Sequence, residues 1–526
     1  MLQSALTLLP IIWLIIALAV LKIPGHTACV VALVIAAALA LTLWQMPVVD
    51  CVTSALEGFA SALWPIILVI IAAIFTYNLS LRTGAMDVIK RLLSSVSNDK
   101  RVIILLIGWC FGGFLEGMAG FGTAVAIPAG MLYGMGMNPI TACLVCMLAN
   151  AFPTAFGSVG IPTTTLTSVT GLEALPLSFM TVVQMVPFMI LVPFLMVIAG
   201  GGGIKALKGV AGITLAAGLS FVIPELFVSK FLGAELPVIV GSVISLGVTL
   251  IMARMRSSKP VPEEYRMSKG ETAPAGGAGA ASAPQGEAMK PIIAFLPFIL
   301  IFVLLLVTSK LVAPINSFLS VFSSTVQIST SANAGTVSFS WINTPGIWIF
   351  IAAIIGGIVQ KAGAKLMWDT LVATVKQMVK TIITIMSVLA VAKIMTYSGM
   401  ISDMANLFVT ITGRFYAFVA PIIATIGAFV TGSGTNTEVL LGRLQSEAAQ
   451  AIGASPYWLA AANSVGAGIG KILSPQCIAT AVAAVGLTGQ DSKVLGAVLK
   501  WALLMLVIAC LLIGLLEGTA DYWLSL

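Results

Sequence analysis

An acidic residue inside an apolar, glycine-rich stretch is the first place in this chain where chemistry is expected. Glu116 lies in residues 112–130, which read GGFLEGMAGFGTAVAIPAG and hold six glycines and one proline. An ionisable group at bilayer depth costs about 2.5–3.5 kcal/mol unless it faces a cavity or a partner, and irregular backbone there must be covered. The stretch predicts a broken or re-entrant helix lining a solute site, with Glu116 as a proton-carrying group. The alternative is a structural acid, bonded to backbone amides or to a distant basic residue.

A run of small polar side chains forms the second candidate site. Residues 431–437 read TGSGTNT and lie between apolar runs. Glycine lets backbone amides approach a ligand closely, and helix N-termini favour an anion such as a carboxylate. We therefore expect Thr431, Ser433, Thr435 and Asn436 to contact an anionic solute, the alternative being a polar turn at the membrane surface.

Two asparagines and a lysine complete the candidate chemistry. Asn150 and Asn463 suit a substrate hydroxyl because a buried amide both donates and accepts, although hydrogen bonding between helices would use them equally well. Lys471 precedes a Ser-Pro-Gln break and suits a substrate carboxylate or Glu116, the alternative being an ammonium that snorkels to the interface. The residues expected to bind substrate are Gly117, Gly120, Gly122, Thr123, Asn150, Thr163, Thr431, Ser433, Thr435, Asn436, Asn463, Lys471, Ser474 and Gln476.

The composition places these residues in a membrane. The chain has 526 residues, 59% of them hydrophobic and 9% charged, and a mean hydropathy of +1.10. Soluble domains carry about 25% charged residues, and a span needs about 20 apolar residues. The chain is therefore a polytopic membrane protein with length for about 12–14 spans. Its net charge of +7 indicates basic residues in cytoplasmic loops rather than a nucleic-acid partner.

Metal, cofactor and enzyme chemistry are not expected. The Cys143–Cys146 pair lies in an apolar run and is typical of packed side chains rather than of a redox or metal site. His26 is the only histidine, and the sequence holds no P-loop, so ATP coupling is not indicated.

Basic residues set the expected topology. Lys22 is the first of them and follows the first apolar run, so we expect no cleavable signal peptide, an N-terminus outside and Lys22 inside. Residues 80–101 and 254–290 are expected in the cytoplasm. Lys393 is expected to snorkel from one end of its span.

The chain is expected to divide into three segments. Residues 1–257 form a first membrane repeat, and residues 291–526 form a second. Between them, residues 258–290 are rich in Ala, Gly, Pro and Ser, which predicts a flexible cytoplasmic linker. Residues 312–345 are uncharged and rich in Ser and Thr, which predicts an external loop with some extended structure.

The two membrane halves repeat a common pattern. Residues 83–86 and 114–117 resemble segments 315 positions later, and Asn150 matches Asn463, 313 positions later. Residues 80–101 carry five basic residues, whereas their counterpart carries one. The two copies are therefore expected to cross the membrane in opposite directions, with a solute site where their broken segments meet.

Several segments resemble the bacterial lactate permease family. The most specific are FGGFLEGMAGFGTAVA at 111–126 and KILSPQCIATAV at 471–482, and the resemblance extends from the first span to the end of the chain. It implies transport of L-lactate, D-lactate and glycolate with protons. The family is in turn similar to ion transporters that move substrate by an elevator motion of a hairpin-containing domain.

Two positions depart from the family that the chain resembles, whose members often have an acidic or amide residue after the Thr-Gly-Ser triplet and an asparagine a few positions later. Gly434 and Glu438 stand at these places. An acid displaced by one helical turn, or a different 2-hydroxy acid as substrate, would account for the change.

The sequence thus predicts an all-α polytopic membrane protein with two inverted-topology repeats and broken or re-entrant helices. Its expected function is proton symport of a small 2-hydroxymonocarboxylate, with L-lactate first, across the bacterial inner membrane. Two alternatives within transport stay open: a sodium-coupled carboxylate or dicarboxylate transporter, and a passive anion channel.

Overall fold

Helices make up almost all of the structure. The computed structural model describes residues 2–21, 23–120, 122–256, 260–267, 289–309, 312–332, 334, 336–487 and 490–525. The first-half helices are α1 Leu2–Leu6, α2 Leu9–Ile15, α3 Gly25–Thr42, α4 Val48–Ser61, α5 Leu68–Arg82, α6 Ala85–Ser94, α7 Lys100–Ile103, α8 Gly112–Met118, α9 Thr123–Gly134, α10 Pro139–Asn150, α11 Gly157–Thr170, α12 Ala174–Gly201, α13 Ala211–Phe231 and α14 Pro237–Met255.

The second half has the same all-helical character, apart from one pair of strands. Its elements are α15 Pro291–Thr308, α16 Ala313–Ser320, β1 Ser323–Val326, β2 Val337–Ser340, α17 Pro345–Val359, α18 Ala364–Tyr397, α19 Met400–Thr412, α20 Tyr416–Thr431, α21 Gly434–Ile452, α22 Pro456–Leu473, α23 Pro475–Ala484, α24 Asp491–Leu516 and α25 Ala520–Ser525.

The number of membrane spans is slightly lower than the sequence predicts. Within the described residues, ten helices are long and apolar enough to cross a membrane, or up to twelve if each of two bent helix pairs counts as one span. One of these elements, Val48–Arg82, spans 35 residues and is kinked between α4 and α5, where Trp64 leaves helical geometry (φ −133°, ψ 119°) within the π-helical stretch Ala62–Ile67. The prediction of an all-α polytopic membrane protein with broken helices is confirmed.

The two halves show the same order of breaks. A left-handed glycine, Gly84 at φ 75° and Gly399 at φ 86°, separates α5 from α6 and α18 from α19. Glycine suits this conformation because it carries no Cβ. In each half a later pair of helices is bent, by 57° between α10 and α11 and by 50° between α22 and α23.

A short β-hairpin lies in the uncharged segment 312–345. Strand β1 pairs antiparallel with β2, and Ser323 lies opposite Ser340. The hairpin rests on the break between α4 and α5, where Trp64 Nε1 donates to the Ser340 carbonyl oxygen at 2.9 Å. The rings of Trp64 and Trp341 lie 5.3 Å apart, so the hairpin is fixed to the membrane helices.

The beginning of the expected linker packs against the first half. Glu263–Tyr265 form a 3-10 turn, and the Tyr265 ring lies 3.9 Å from the Arg101 guanidinium. Arg101 itself is buried and forms an ion pair with Asp99 at 2.8 Å. Residues 268–288 of the linker, and Lys22, lie outside the described residues.

Broken helices from both halves pack together and carry the candidate residues. Helix α22 packs against α20 and α21, α11 packs against α21, and α9 packs against α23. The unwound positions of the first half therefore face those of the second half, which is where the sequence places the solute site.

Candidate functional site

A buried ion pair links the two halves of the molecule. Lys471 Nζ donates to Glu116 Oε1 at 2.8 Å, and Asn150 Nδ2 donates to Glu116 Oε2 at 2.7 Å. Lys471 Nζ also donates to Thr154 Oγ1 at 2.5 Å. Both carboxylate oxygens of Glu116 are thus hydrogen-bonded, and the ammonium of Lys471 contacts the first half twice.

Each member of this cluster lies at the end of a helix or in a break. Asn150 is the last residue of α10, and Thr154 lies in the 3-10 turn Pro153–Phe156 that follows. Lys471 occupies the last turn of α22, where a cation interacts favourably with the helix dipole. The breaks free these side chains from the helix surfaces and let them converge on Glu116, near the C-terminal end of α8.

Burial makes the pair sensitive to the loss of either partner. Glu116 is 2% exposed and Lys471 is 7% exposed. Removing one member of a buried ion pair typically costs about 3–5 kcal/mol, because the other charge is left without compensation. Each charge of the pair therefore depends on the other for its compensation.

A glycine provides the space for the Glu116 carboxylate. A Cβ atom added at Gly157 would lie 2.6 Å from Glu116 Oε1. That separation is shorter than van der Waals contact, so only glycine fits at this point without moving the carboxylate.

The turn between α20 and α21 brings the second half against the same cluster. Ser433 caps α21, and its Oγ accepts from the Asn436 backbone N–H at 3.3 Å. Thr431 Oγ1 lies 3.1 Å from Thr437 Oγ1. At the first residue of α21, a Cβ atom added to Gly434 would lie 3.6 Å from Thr154 Oγ1, so the N-terminus of α21 lies beside the Lys471 partner.

Several other residues expected to bind substrate support the breaks. Thr123 Oγ1 donates to the Gly120 carbonyl at 2.7 Å, and Thr163 Oγ1 donates to the Ala155 carbonyl at 2.8 Å. Ser474 caps α23 by accepting from the Cys477 backbone N–H at 3.2 Å. These hydroxyl groups hold the backbone of the site.

The expected glycines have different surroundings. Gly117 faces Val238 and Ile239 of α14, where an added Cβ would come within 3.0 Å of Ile239. Gly120, by contrast, lies against Ser158. Gly122 lies beside the Thr480 side chain of α23, so this glycine leaves room for a second-half side chain against a first-half turn.

The remaining expected residues lie at the rim of the site. Gln476 is exposed and borders Gly432, while Thr435 and Asn436 are each 8% exposed in the first turn of α21.

Sequence reasoning did not assign two of the functional candidates. Nothing in the sequence marks Thr154 as a site residue beyond its position after Pro153. It becomes a candidate because its hydroxyl group accepts a hydrogen bond from Lys471. Glu438 stood out as a departure from the family pattern. Asn463 Nδ2 donates to Glu438 Oε2 at 2.7 Å, so each half contains a buried carboxyl group held by an asparagine.

Both asparagines present an unused acceptor. The Oδ1 atoms of Asn150 and Asn463 are buried and accept no hydrogen bond among the described residues. Buried polar atoms are normally hydrogen-bonded, so these two amide oxygens are exceptions among the described residues.

A strained turn separates the ion pair from a cavity. Ser158 and Val159 have φ values of 46° and 59°, which are uncommon for residues with side chains and rare for a β-branched one. Val159 lines a cavity of about 200 Å³ that also borders Trp64, Glu235 and the β-hairpin. The turn thus contacts Glu116 through Gly157 and the cavity through Val159.

Lys393 does not snorkel as predicted. Its Nζ lies 2.8 Å from Glu57 Oε1, and Tyr397 Oη donates to the same oxygen at 2.7 Å. Glu57 is 1% exposed, and the Lys393 ammonium is the cation that contacts its buried carboxyl group. The prediction was wrong because hydropathy alone does not show that α4 places an acid opposite Lys393 on α18.

Arg443 lies away from the ion pair. Its Nε donates to Glu447 Oε1 at 2.7 Å, and its Nη1 donates to the Thr170 carbonyl at 3.1 Å. In the described residues, Lys471 is thus the basic side chain that meets Glu116.

The sequence and fold were compared with known proteins. A sequence model of the L-lactate permease family matches residues 3–518. A protein named L-lactate permease from Streptococcus iniae is 43% identical over 465 residues, covering 88% of this chain and 94% of that protein. The glycolate permease GlcA of Escherichia coli strain K12 is 34% identical over 530 residues, covering 96% of this chain and 93% of that protein. The solved YdaH transporter of Alcanivorax borkumensis aligns over 88% of this chain and 87% of its own, at 12% identity and a TM-score of 0.47.

Proposed function

Because this chain belongs to the L-lactate permease family, we propose that it carries lactate and related small 2-hydroxymonocarboxylates, such as glycolate, together with a proton across the bacterial inner membrane. The observation that supports proton coupling is the buried Glu116–Lys471 ion pair, in which a lysine holds a carboxylate belonging to the protein. A substrate carboxylate is chemically the same partner, so substrate and Glu116 compete for one ammonium.

The site provides a complementary group for each part of the substrate. The carboxylate binds Lys471 and the N-terminus of α21, where first-turn backbone N–H groups favour anions. The 2-hydroxyl group donates to the unused Oδ1 of Asn150 or Asn463. Thr435 and Asn436 close the rim around the bound molecule.

Proton coupling follows from charge balance. In the empty site, Glu116 and Lys471 neutralise one another. When the substrate carboxylate takes Lys471, Glu116 keeps Asn150 but loses its cation, and an uncompensated charge at this depth is costly. Glu116 therefore takes up a proton, and the loaded site is again neutral. Counting Glu116, Lys471 and the substrate alone, the empty and the loaded site both cross without a net charge.

The architecture supports alternating access between two repeats. We assign the repeats to residues 1–257 and 291–526, with inverted orientation, and the linker to residues 258–290 on the cytoplasmic side. The N-terminus lies outside in this topology. Broken helices of both repeats then meet at the site, and movement of one group of helices against the other exposes it to each side in turn.

A dicarboxylate substrate suits the site less well. A second carboxylate would need a second cation, and Arg443, the further basic residue on α21, is engaged with Glu447 and Thr170. A passive anion channel would not need an internal carboxylate that competes with the substrate.

Competition for uptake tests the proposed substrate class. We expect L-lactate, D-lactate and glycolate to inhibit uptake of labelled L-lactate into proteoliposomes, and propionate to inhibit about tenfold or more weakly. Propionate lacks the hydroxyl group, and a site built to hydrogen-bond a hydroxyl discriminates strongly against its absence. Succinate should not compete. Equal inhibition by succinate would favour the dicarboxylate alternative, and equal inhibition by propionate would remove the asparagine oxygens from substrate recognition.

Gly157→Ala tests the space reserved for Glu116. The added methyl group must displace the carboxylate from the position where Lys471 and Asn150 bind it. A displacement of about 1 Å costs up to about a hundredfold in activity, so we expect the rate of labelled lactate uptake to fall about tenfold to a hundredfold. Gly134→Ala is the matched control, because an added Cβ there has no atom within 4 Å. Equal uptake by the two variants would contradict the assigned position of Glu116.

A further inference from the structure

The second half contains a carboxyl group that the coupling scheme has not used. Glu438, on α21, is 1% exposed, and Asn463 on α22 donates to its Oε2 at 2.7 Å. The pair reproduces Glu116 on α8 and Asn150 on α10, which meet at the same distance. Both halves thus hold a buried acid with an asparagine donor, the asparagines being equivalent in the repeat, whereas the offset of 315 positions aligns Glu116 with Thr431 and not with Glu438.

The two acids differ in their charge compensation. Glu116 has Lys471 at 2.8 Å, whereas no ion pair of Glu438 is found among the described residues. Charged groups on the helices around α21 are otherwise engaged: Arg443 binds Glu447, Lys393 binds Glu57, and Asp403 accepts from Trp44 Nε1 at 2.9 Å.

The remaining titratable groups on these helices do not neutralise Glu438 either. Helix α11 and the 3-10 turn Pro153–Phe156 carry no titratable side chain. Tyr416 of α20 donates to Gln445 Oε1, and Tyr457 of α22 accepts from the Glu173 backbone N–H. The other charged residues of α18 are exposed: Lys365, Asp369, Lys376 and Lys380.

The position of Glu438 connects it to the transport site. It lies one helical turn after Gly434, the residue of α21 that abuts Thr154. Its partner Asn463 lies two turns before Lys471 on α22. Any change in α21 or α22 that accompanies substrate binding at Lys471 is therefore transmitted directly to the Glu438–Asn463 contact.

We propose that Glu438 is a second proton-binding site of the transporter, loaded with a proton in this conformation and emptied during the transport cycle. The inference rests on the proposed lactate symport and adds one proton to it. A buried carboxyl group without a cation is accommodated as the neutral acid, and Asn463 still donates to it in that form. Emptying the site moves one proton per cycle in addition to the one that Glu116 takes up.

Infrared spectroscopy tests the protonation state without substrate. The carbonyl stretch of protonated carboxyl groups is expected in the wild-type protein; in wild-type-minus-variant difference spectra, Glu438→Gln should lose one component of this band, and Glu447→Gln, at an acid on the same helix, should lose none. Glu225, also buried and without an ion pair among the described residues, contributes equally to both variants. If Glu438→Gln does not fold, Asn463→Ala replaces it, because losing the amide donor should shift this band to higher frequency. A band unaffected by Glu438→Gln, or by Asn463→Ala in that case, would overturn the proposal.

Proton stoichiometry tests whether the site empties. Proteoliposomes with Glu438→Gln are expected to exchange lactate but to move one proton fewer per lactate than the wild type, while Glu447→Gln keeps the wild-type ratio. An unchanged ratio in Glu438→Gln would show a permanently protonated structural acid and overturn the proposal. If the wild-type protein transports no lactate, the proposed function is refuted, whatever the infrared band shows.

Discussion

Lys471→Met is expected to abolish both uptake and exchange of labelled lactate. Lys471 is the cation that meets Glu116 in the site, and it lies beside the N-terminus of α21. Truncating one partner of a buried, hydrogen-bonded charge pair costs about 2–5 kcal/mol, which corresponds to about 30-fold to about 3,000-fold in affinity. Lactate affinity, measured by calorimetry or by protection against thermal unfolding, should fall within this range.

Loss of folding must be separated from loss of binding. Lys471→Met leaves Glu116 as an uncompensated buried charge, which alone is expected to destabilise the fold by about 3–5 kcal/mol. Combining it with Glu116→Gln removes that charge and should recover most of the stability, but not lactate binding. Lys493→Met, at an exposed lysine of α24, controls for loss of a positive charge. Lactate binding by the folded double variant at wild-type affinity would contradict the assignment of Lys471.

Glu116→Gln is expected to separate exchange from net transport. The amide no longer competes for Lys471, so lactate should bind more tightly, by about tenfold or more. The loaded site is neutral and still crosses, which preserves exchange of labelled for unlabelled lactate. The empty site, however, carries the unpaired Lys471 charge and returns slowly. Accumulation driven by an inward proton gradient should therefore be lost.

The matched control for this variant is Glu173→Gln, at an exposed acid outside the site. It should accumulate lactate as the wild type does. If the Glu116→Gln variant still concentrates lactate against its gradient, Glu116 is structural. Proton coupling would then depend on Glu438 alone.

Much of the fold could be predicted from the sequence because membrane-spanning segments are long and apolar. Long apolar runs predict spans, and the offset between Asn150 and Asn463 identified two asparagines that each donate to a buried carboxyl group, although Asn150 ends α10 and Asn463 lies within α22. Glu116 and Lys471 stood out because charge is rare at bilayer depth. Their direct contact was one of two partners weighed for Lys471, and the structure supports it.

Other features depend on tertiary contacts that no local pattern contains. The partner of Lys393 is Glu57, 336 positions away on another helix, so hydropathy alone favoured snorkelling. Thr154 has an ordinary sequence environment and acquires its role from the turn after Pro153.

The most direct measurement is lactate-driven proton movement in proteoliposomes of the wild-type protein. A pH-sensitive dye is trapped inside, the initial pH is equal on both sides, sodium is absent, and an inward L-lactate gradient is imposed. We predict that the lumen acidifies at a rate proportional to labelled lactate entry, well above the leak in protein-free liposomes, and that Glu116→Gln removes this excess. Lactate entry through the wild-type protein with no acidification above the leak would contradict proton symport.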